Sequence, residues 1–500
     1  MNRAPILLLL ASLAAGAAHG ASPAAIPDHP RALRYGELRF ELPDPARYRH
    51  ELPGGVVAFV AEDHALPLVK VSLMLRGGAY QDPVGKTGLA ALTAAMLRRG
   101  GAGALAADAF DERADFLAAS LSASAGPTST TLTLDCLSQQ LDESLDLLFA
   151  MLTAPRFDES RLAVEKSSRR EGLAQRNDDA GDILEREWNW LLYGPQHVVA
   201  RETTAAELDS IRREDLASFH ARTYGPSHLV VAVAGDVDAA SILAQLKRRL
   251  AAWKSTAAEP AWPPTFPQHA PPPGVYYVEK DIPQGKVEIG HRGVRWQRWD
   301  DPEMFALMVM NEILGGDFTS RITQRVRSDE GLAYSAGSDY DIGILWPGSF
   351  SVAFESKSAT VALAAKISLE EIGRMQREPV SEQELRQARS SFVDSFPRRF
   401  ETPFQIARTY ATDEVLGRPH DYWRTYRERM RAVDAAAVRA AAAKYLHPDA
   451  MVMLVVGRWS DIAAGDADGR AKMTEILSGP GRAAATQLPL RDPLTLEPLP

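Results

Sequence analysis

The feature that most constrains this 500-residue chain is that it repeats itself. Ile211-Arg212-Arg213-Glu214-Asp215-Leu216 leads to Arg222-Thr223-Tyr224 and on to Leu229-Val230-Val231-Ala232-Val233-Ala234-Gly235. The same order returns as Val433-Asp434-Ala435-Ala436-Ala437-Val438, Ala443-Lys444-Tyr445 and Met451-Val452-Met453-Leu454-Val455-Val456-Gly457. Tyr224 and Tyr445 are 221 positions apart, and Gly235 and Gly457 are 222 apart. Asp158-Glu159-Ser160-Arg161-Leu162 precedes Ser381-Glu382-Gln383-Glu384-Leu385 by 223. A helix, a turn and an apolar strand ending in Gly, met twice at near-constant spacing, predict a duplicated α+β unit.

Residues 255–274 separate the copies and contain Pro260, Pro263, Pro264, Pro267, Pro271, Pro272 and Pro273. So many prolines fit neither a helix nor a central strand, and the segment reads as a semi-rigid linker. The expected organisation is a first half over 41–254 and a second over 275–464. A tail over 465–500, rich in Gly, Ala and Pro, is expected to be poorly ordered except for a short helix near 471–477. Val56–Val60 and Val69–Leu75 read as strands, Gly88–Arg99 and Leu141–Leu152 as helices. Hairpin-like strand pairs favour antiparallel sheets with helices packed on one face.

The N-terminus carries Arg3, then Ile6-Leu7-Leu8-Leu9-Leu10, then small residues up to Ala18-His19-Gly20-Ala21. That order predicts a cleaved secretory signal over 1–20, followed by an extension over 21–40. The apolar run is short for a bilayer span, and no later segment is long enough. A net charge of −9 without a long basic run argues against nucleic acid as a partner. The single cysteine, Cys136, lies in an alternating strand-like run and reads as a buried structural thiol.

Several stretches together resemble the pitrilysin/insulinase zinc peptidases, the family that includes the mitochondrial processing peptidase. They are Leu75-Arg76-Gly77-Gly78-Ala79-Tyr80, Thr87-Gly88-Leu89-Ala90, Pro155-Arg156-Phe157 and Arg327-Ser328-Asp329-Glu330-Gly331-Leu332-Ala333-Tyr334. The resemblance runs from about Leu52 to Trp459 and implies two halves closing as a clamshell around peptides. Active members follow Gly-Leu-Ala with His-x-x-Glu-His, whose imidazoles at i and i+4 grip zinc while the Glu serves as base. Here those positions are Ala91, Ala94 and Ala95, and the helix survives because alanine is the best helix former. The family's third ligand, a Glu, falls 77 residues beyond Ala95 at Gly172. Glu171 is adjacent, but one residue turns a helical side chain by about 100°. No metal is expected in this chain, although a set built from dispersed residues such as His64 or His197 stays open.

Some members work in pairs, one subunit holding zinc and the other lending an Arg/Tyr pair. The resemblance assigns that pair to Arg327 and Tyr334, as donors to the oxyanion that forms on the substrate carbonyl. The bland reading pairs Arg327 with Asp329 or Glu330. The alternating run with Ser120, Ser122 and Ser124 resembles the family's substrate-binding edge strand. Asp317–Glu330 is expected to be helical, with Gly331 closing it and Tyr334 opening a strand. The expectation is a zinc-less subunit of a heterodimeric periplasmic peptidase of a Gram-negative bacterium. Its partner would be a zinc-bearing homologue and its substrates peptides. The alternatives are a non-enzymatic peptide-binding scaffold and a self-sufficient hydrolase with an unrecognised metal site.

Overall fold

The computed structural model describes residues 29, 32, 33 and 40–499, apart from 267, 268, 467 and 479–484. The expected signal segment lies outside the described residues, as does most of the extension after it. Met1–Glu41 forms one unit and Leu42–Pro500 the other. In the second unit, the first half runs β1 (Arg49–Glu51), β2 (Val57–Glu62), β3 (Leu68–Arg76), α1 (Leu89–Arg99), α2 (Ala107–Phe116), β4 (Ser120–Ala125) and β5 (Ser129–Leu137). It continues α3 (Leu141–Thr153), α4 (Glu159–Gln175), α5 (Ala180–Tyr193), α6 (Ala205–Ser210), α7 (Arg213–Thr223), β6 (Leu229–Gly235) and α8 (Ala239–Ala252). The second half repeats the plan: β7 (Gly274–Glu279), β8 (Gln284–Arg292), α9 (Pro302–Asn311), β9 (Ala333–Tyr340), β10 (Ser349–Lys357) and α10 (Val361–Arg377). There follow α11 (Glu382–Ser395), α12 (Pro403–Leu416), α13 (Tyr422–Ala432), α14 (Ala435–Tyr445), β11 (Val452–Gly457), α15 (Trp459–Ala463) and β12 (Thr486–Leu488).

The two six-stranded sheets have orders β1-β2-β6-β3-β5-β4 and β12-β7-β11-β8-β10-β9, the same path drawn twice. Most pairings are antiparallel, as hairpin-like strands require. β6 and β11 instead return parallel to β2 and β7, because each arrives after a run of helices. In β6 every residue from Leu229 to Ala234 is buried, and in β11 every residue is. Burial on both faces demands a cover on both faces.

The second cover comes from the other half. α12 packs on β2, β3 and β6 of the first sheet, and α5 packs on β8 and β11 of the second. Ile183, Trp188 and Leu192 of α5 share one core with Val452, Leu454 and Val456 of β11. Tyr410 of α12 is fully buried, stacks 6.2 Å from Phe59 of β2 and donates its hydroxyl hydrogen bond to the Pro43 carbonyl. The helices that each half was expected to pack on one face are present. The opposite face receives an exchanged helix, which locks the halves together.

The tail departs from expectation. Thr486–Leu488 pairs parallel with β7 and forms the outer edge of the second sheet, so part of the segment expected to be poorly ordered is a strand. Ala471–Leu477 contains only a single 3₁₀ turn, Met473–Glu475. The Pro-rich linker is pinned to the first half. Tyr80 donates to the Ala261 carbonyl at 2.8 Å, and Trp262 lies 4.6 Å from the Arg76 guanidinium. No described helix is long and apolar enough to cross a membrane.

Candidate functional site

α1 carries the degenerate metal positions. Leu89, Leu92, Met96 and Leu97 bury its inner face, and Ala94 is buried with them. Ala91 and Ala95 are partly exposed. The helix start is held by Asp82, whose carboxylate accepts from the Gly88 and Ala90 amides at 2.8 Å each. Burial pushes the Asp82 carboxyl up to about 6, against the pull of those amides. Opposite α1 lies α4, where Gly172 is exposed and an added Cβ would meet open space. Three methyl groups and a glycine offer no lone pair, so these residues do not fit a zinc ion.

The gap between the two helices contains cations of the protein's own. Arg169, one turn before Gly172, donates Nη2 to the Ala91 carbonyl at 3.1 Å and Nε to Glu165 at 2.9 Å. Arg99 pairs with the same Glu165, and Arg98 pairs with Asp111. A guanidinium on the Ala91 carbonyl, sharing Glu165 with Arg99, disfavours a dication between these helices. Sequence reading missed Arg169, because its reach across to α1 leaves no mark in the local pattern.

β4 is the outer strand of its sheet, with Ser120, Ser122 and Ser124 exposed. The Ser122 and Thr133 hydroxyls lie 2.6 Å apart. One edge acceptor is already taken, since Arg98 donates Nε to the Leu121 carbonyl at 3.2 Å.

In the second half, β9 is the equivalent edge strand, and Tyr334 near its start is 88% exposed. The expected helix over 317–330 takes a different form. Glu312–Gly316 and Thr323–Asp329 are π-helical turns, and Asp317 between them is extended. Such turns are rare and recur at functional sites. The segment is tied to β9 where Thr323 donates to the Ala336 carbonyl at 2.7 Å and Ser320 donates to Thr323 at 2.9 Å. A Cβ on Gly315 would sit 2.2 Å from the Ser338 nitrogen, so only glycine allows this approach to β9. Gly331, at φ +63°, makes the turn that brings the chain back as a strand.

This geometry brings Arg327 and Tyr334 together. The guanidinium lies 5.4 Å from the Tyr334 ring centroid and 4.4 Å from that of Phe318, which is itself 61% exposed. Among the described residues no carboxylate lies within 4.0 Å of Arg327, whereas Glu330 pairs with Arg470 at 2.7 Å. The bland reading of Arg327 as half of a local ion pair is not what the structure contains. Phe318 was not anticipated, since nothing in its local pattern separates it from an ordinary loop residue.

The other candidates stand apart from this cluster. His64 hydrogen-bonds Asp236 at 2.8 Å on the surface, and His197 is buried among Tyr193, Phe266 and Trp346. Among the described residues no three His, Cys, Asp or Glu side chains group as metal ligands do. Cys136 is buried, and that burial pushes its thiol up to about 11, the reverse of what a nucleophile needs.

Comparison with known proteins agrees with this anatomy. Residues 57–189 match the insulinase (peptidase family M16) model, and residues 210–392 match the peptidase M16 inactive domain. An uncharacterised zinc protease of Streptomyces coelicolor is 28% identical over 258 residues, 50% of this chain and 55% of that protein. The chain thus spans about half the length of the first curated relatives it matches. A Helicobacter pylori protein named as a non-peptidase homolog, YmxG, is 26% identical over 369 residues, covering 73% of this chain and 83% of its own length. Among solved structures, a peptidase M16 inactive domain from Pseudomonas fluorescens superposes with a TM-score of 0.73. It is 23% identical and covers 82% of this chain and 97% of its own. Two family models in tandem, a doubled six-stranded fold and a metal helix without ligands lead to one conclusion: the chain belongs to the insulinase (M16) peptidase family, as an inactive-like member.

Proposed function

We propose that this chain is the zinc-less subunit of a heterodimeric metallopeptidase that degrades peptides in the periplasm. The observation that carries the reading is the exposed cluster of Arg327, Tyr334 and Phe318, whose guanidinium has no carboxylate within 4.0 Å among the described residues. An exposed guanidinium grouped with two exposed aromatic rings is the residue combination that anchors interfaces. The partner is a homologue with an intact His-x-x-Glu-His, and the metal, base and attacking water belong to it. The halves of this chain are locked together by α5 and α12, so the chamber for the peptide forms between subunits.

In that complex the substrate carbonyl lies against Arg327 and Tyr334. As water attacks, the carbonyl oxygen gains negative charge, and the guanidinium N–H and phenol O–H donate to it. Each donor stabilises the transition state by about 2.7–4 kcal/mol in comparable sites. β4, with Ser120, Ser122 and Ser124 along its exposed face, offers an edge on which an extended peptide adds as a further strand. The export signal read in the sequence supports the periplasmic setting. The Helicobacter relative's name as a non-peptidase homolog supports the lack of independent catalysis.

The test is to mix this chain with its zinc-bearing homologue and follow cleavage of unfolded peptides. Turnover is expected in the mixture only. Arg327→Ala and Tyr334→Phe lower kcat by about 100-fold each while the subunits stay associated. Full turnover by both variants would remove their role. One observation favours a non-enzymatic scaffold as the second reading: Arg98 occupies the Leu121 carbonyl on the β4 edge. An associated pair that cleaves no faster than the partner alone would establish it.

A further inference from the structure

A second cavity, away from the Arg327 cluster, lies where the Pro-rich linker passes between the halves. Its volume is about 550 Å³, within the range of small-ligand sites. Phe266 of the linker, Trp346, Leu345 and Met304 give it apolar walls, and its polar lining includes Arg292, Arg295, Gln297, Asp301 and His197.

Among the described residues neither His197 Nε2 nor the Arg292 guanidinium has a hydrogen-bonded acceptor. The Val199 amide donates to His197 Nδ1 at 3.3 Å, so the neutral ring carries its proton on Nε2. Burial, with Arg292 and Arg201 nearby, pushes this imidazole down to about 4, so it stays neutral at physiological pH. His197 is 2% exposed, and its Nε2 is buried with no hydrogen-bond partner among the described residues. A buried donor left so is costly. Arg292 is half-buried, lies 4.9 Å over the Tyr193 ring, and among the described residues has no carboxylate within 4.0 Å. The one acid in the lining, Asp301, is already capping α9 through the Glu303 amide at 3.0 Å.

A half-buried guanidinium over an aromatic ring, with the Arg295 guanidinium in the same lining, defines the complement: a planar anion on an apolar body. Asp301 in the same lining disfavours a dianion. We propose that this cavity binds a carboxylate attached to an aromatic or apolar group, either a free aryl-substituted acid or the C-terminal residue of a peptide. Because His197 belongs to the first half and Arg292 to the second, the bound ligand ties the halves together and raises the melting temperature.

The experiment titrates the full chain calorimetrically with 3-phenylpropionate, its amide 3-phenylpropionamide, and N-acetyl-alanyl-phenylalanine. Saturable binding of the first is expected at a Kd of about 1 mM or tighter. The amide should bind at least about tenfold more weakly, and Arg292→Gln should weaken the acid by at least the same factor. Should Arg292→Gln fail to fold, Arg292→Lys keeps the charge, loses the planar fork and is expected to weaken the acid several-fold. Binding of the dipeptide as tight as that of the free acid assigns the site to peptide termini, and binding of the free acid alone assigns it to small acids. Equal affinity for acid and amide, unchanged affinity in a folded variant, or no saturation by about 20 mM acid would overturn the proposal.

Discussion

Asp82 shows how much the first half asks of one side chain. Its carboxylate accepts two amides at the start of α1, yet burial dominates and holds the group at about 6. A folded-state value above the unfolded one means the native protein binds the extra proton between about pH 4 and 6. Stability therefore falls as pH rises through that window. Asp82→Asn removes the titration. Urea unfolding should show the difference between variant and wild type moving in the variant's favour by up to about 3 kcal/mol from pH 4 to pH 7. Parallel pH profiles would contradict this. At this scale the sequence was legible where identity alone decides the chemistry, as for Ala91, Ala94, Ala95 and Gly172. It was silent on Asp82, Arg169 and Phe318, whose roles depend on distant elements that come to meet them.

Among elements, α1 and α4 carry the positions that the family resemblance matches to metal ligands. Alanines leave α1 a good helix, and Arg169 of α4 then reaches the Ala91 carbonyl at 3.1 Å. Restoring donors alone should leave a poor site. A chain carrying Ala91→His, Ala94→Glu, Ala95→His and Gly172→Glu should bind zinc at least about tenfold more weakly than the same chain with Arg169→Gln added. Competition against a chromogenic chelator measures both, and equal affinities would show that the guanidinium moves aside freely. The outline of α1 was readable from the run after Gly88 and the stop at Gly100-Gly101. The π-turns around Asp317 were not, because the same residues suit an ordinary helix and only the contact of Gly315 with Ser338 of β9 decides.

At the scale of the molecule, the exchange of α5 and α12 makes the two halves one folding unit. The duplication was plain from the spacings that link Tyr224 to Tyr445 and Gly235 to Gly457. The hairpin-like strand pairs predicted helices on one face only; the second cover was missed because no local signal says that the other half supplies it. Calorimetry should record a single cooperative transition for the two halves. Tyr410→Ala, at the centre of the exchanged contact, should cost about 3–5 kcal/mol and destabilise both halves together. Two separate transitions, with only one shifted by the variant, would show that the halves fold independently.

That this chain holds no catalytic zinc of its own rests on α1, which carries only methyl groups at Ala91, Ala94 and Ala95. The most direct measurement is the zinc content and peptide cleavage of the purified full chain after incubation with excess zinc and desalting. The expected result is far less than one zinc per chain and no metal-dependent cleavage. One tightly held zinc per chain together with chelator-sensitive cleavage would contradict the account.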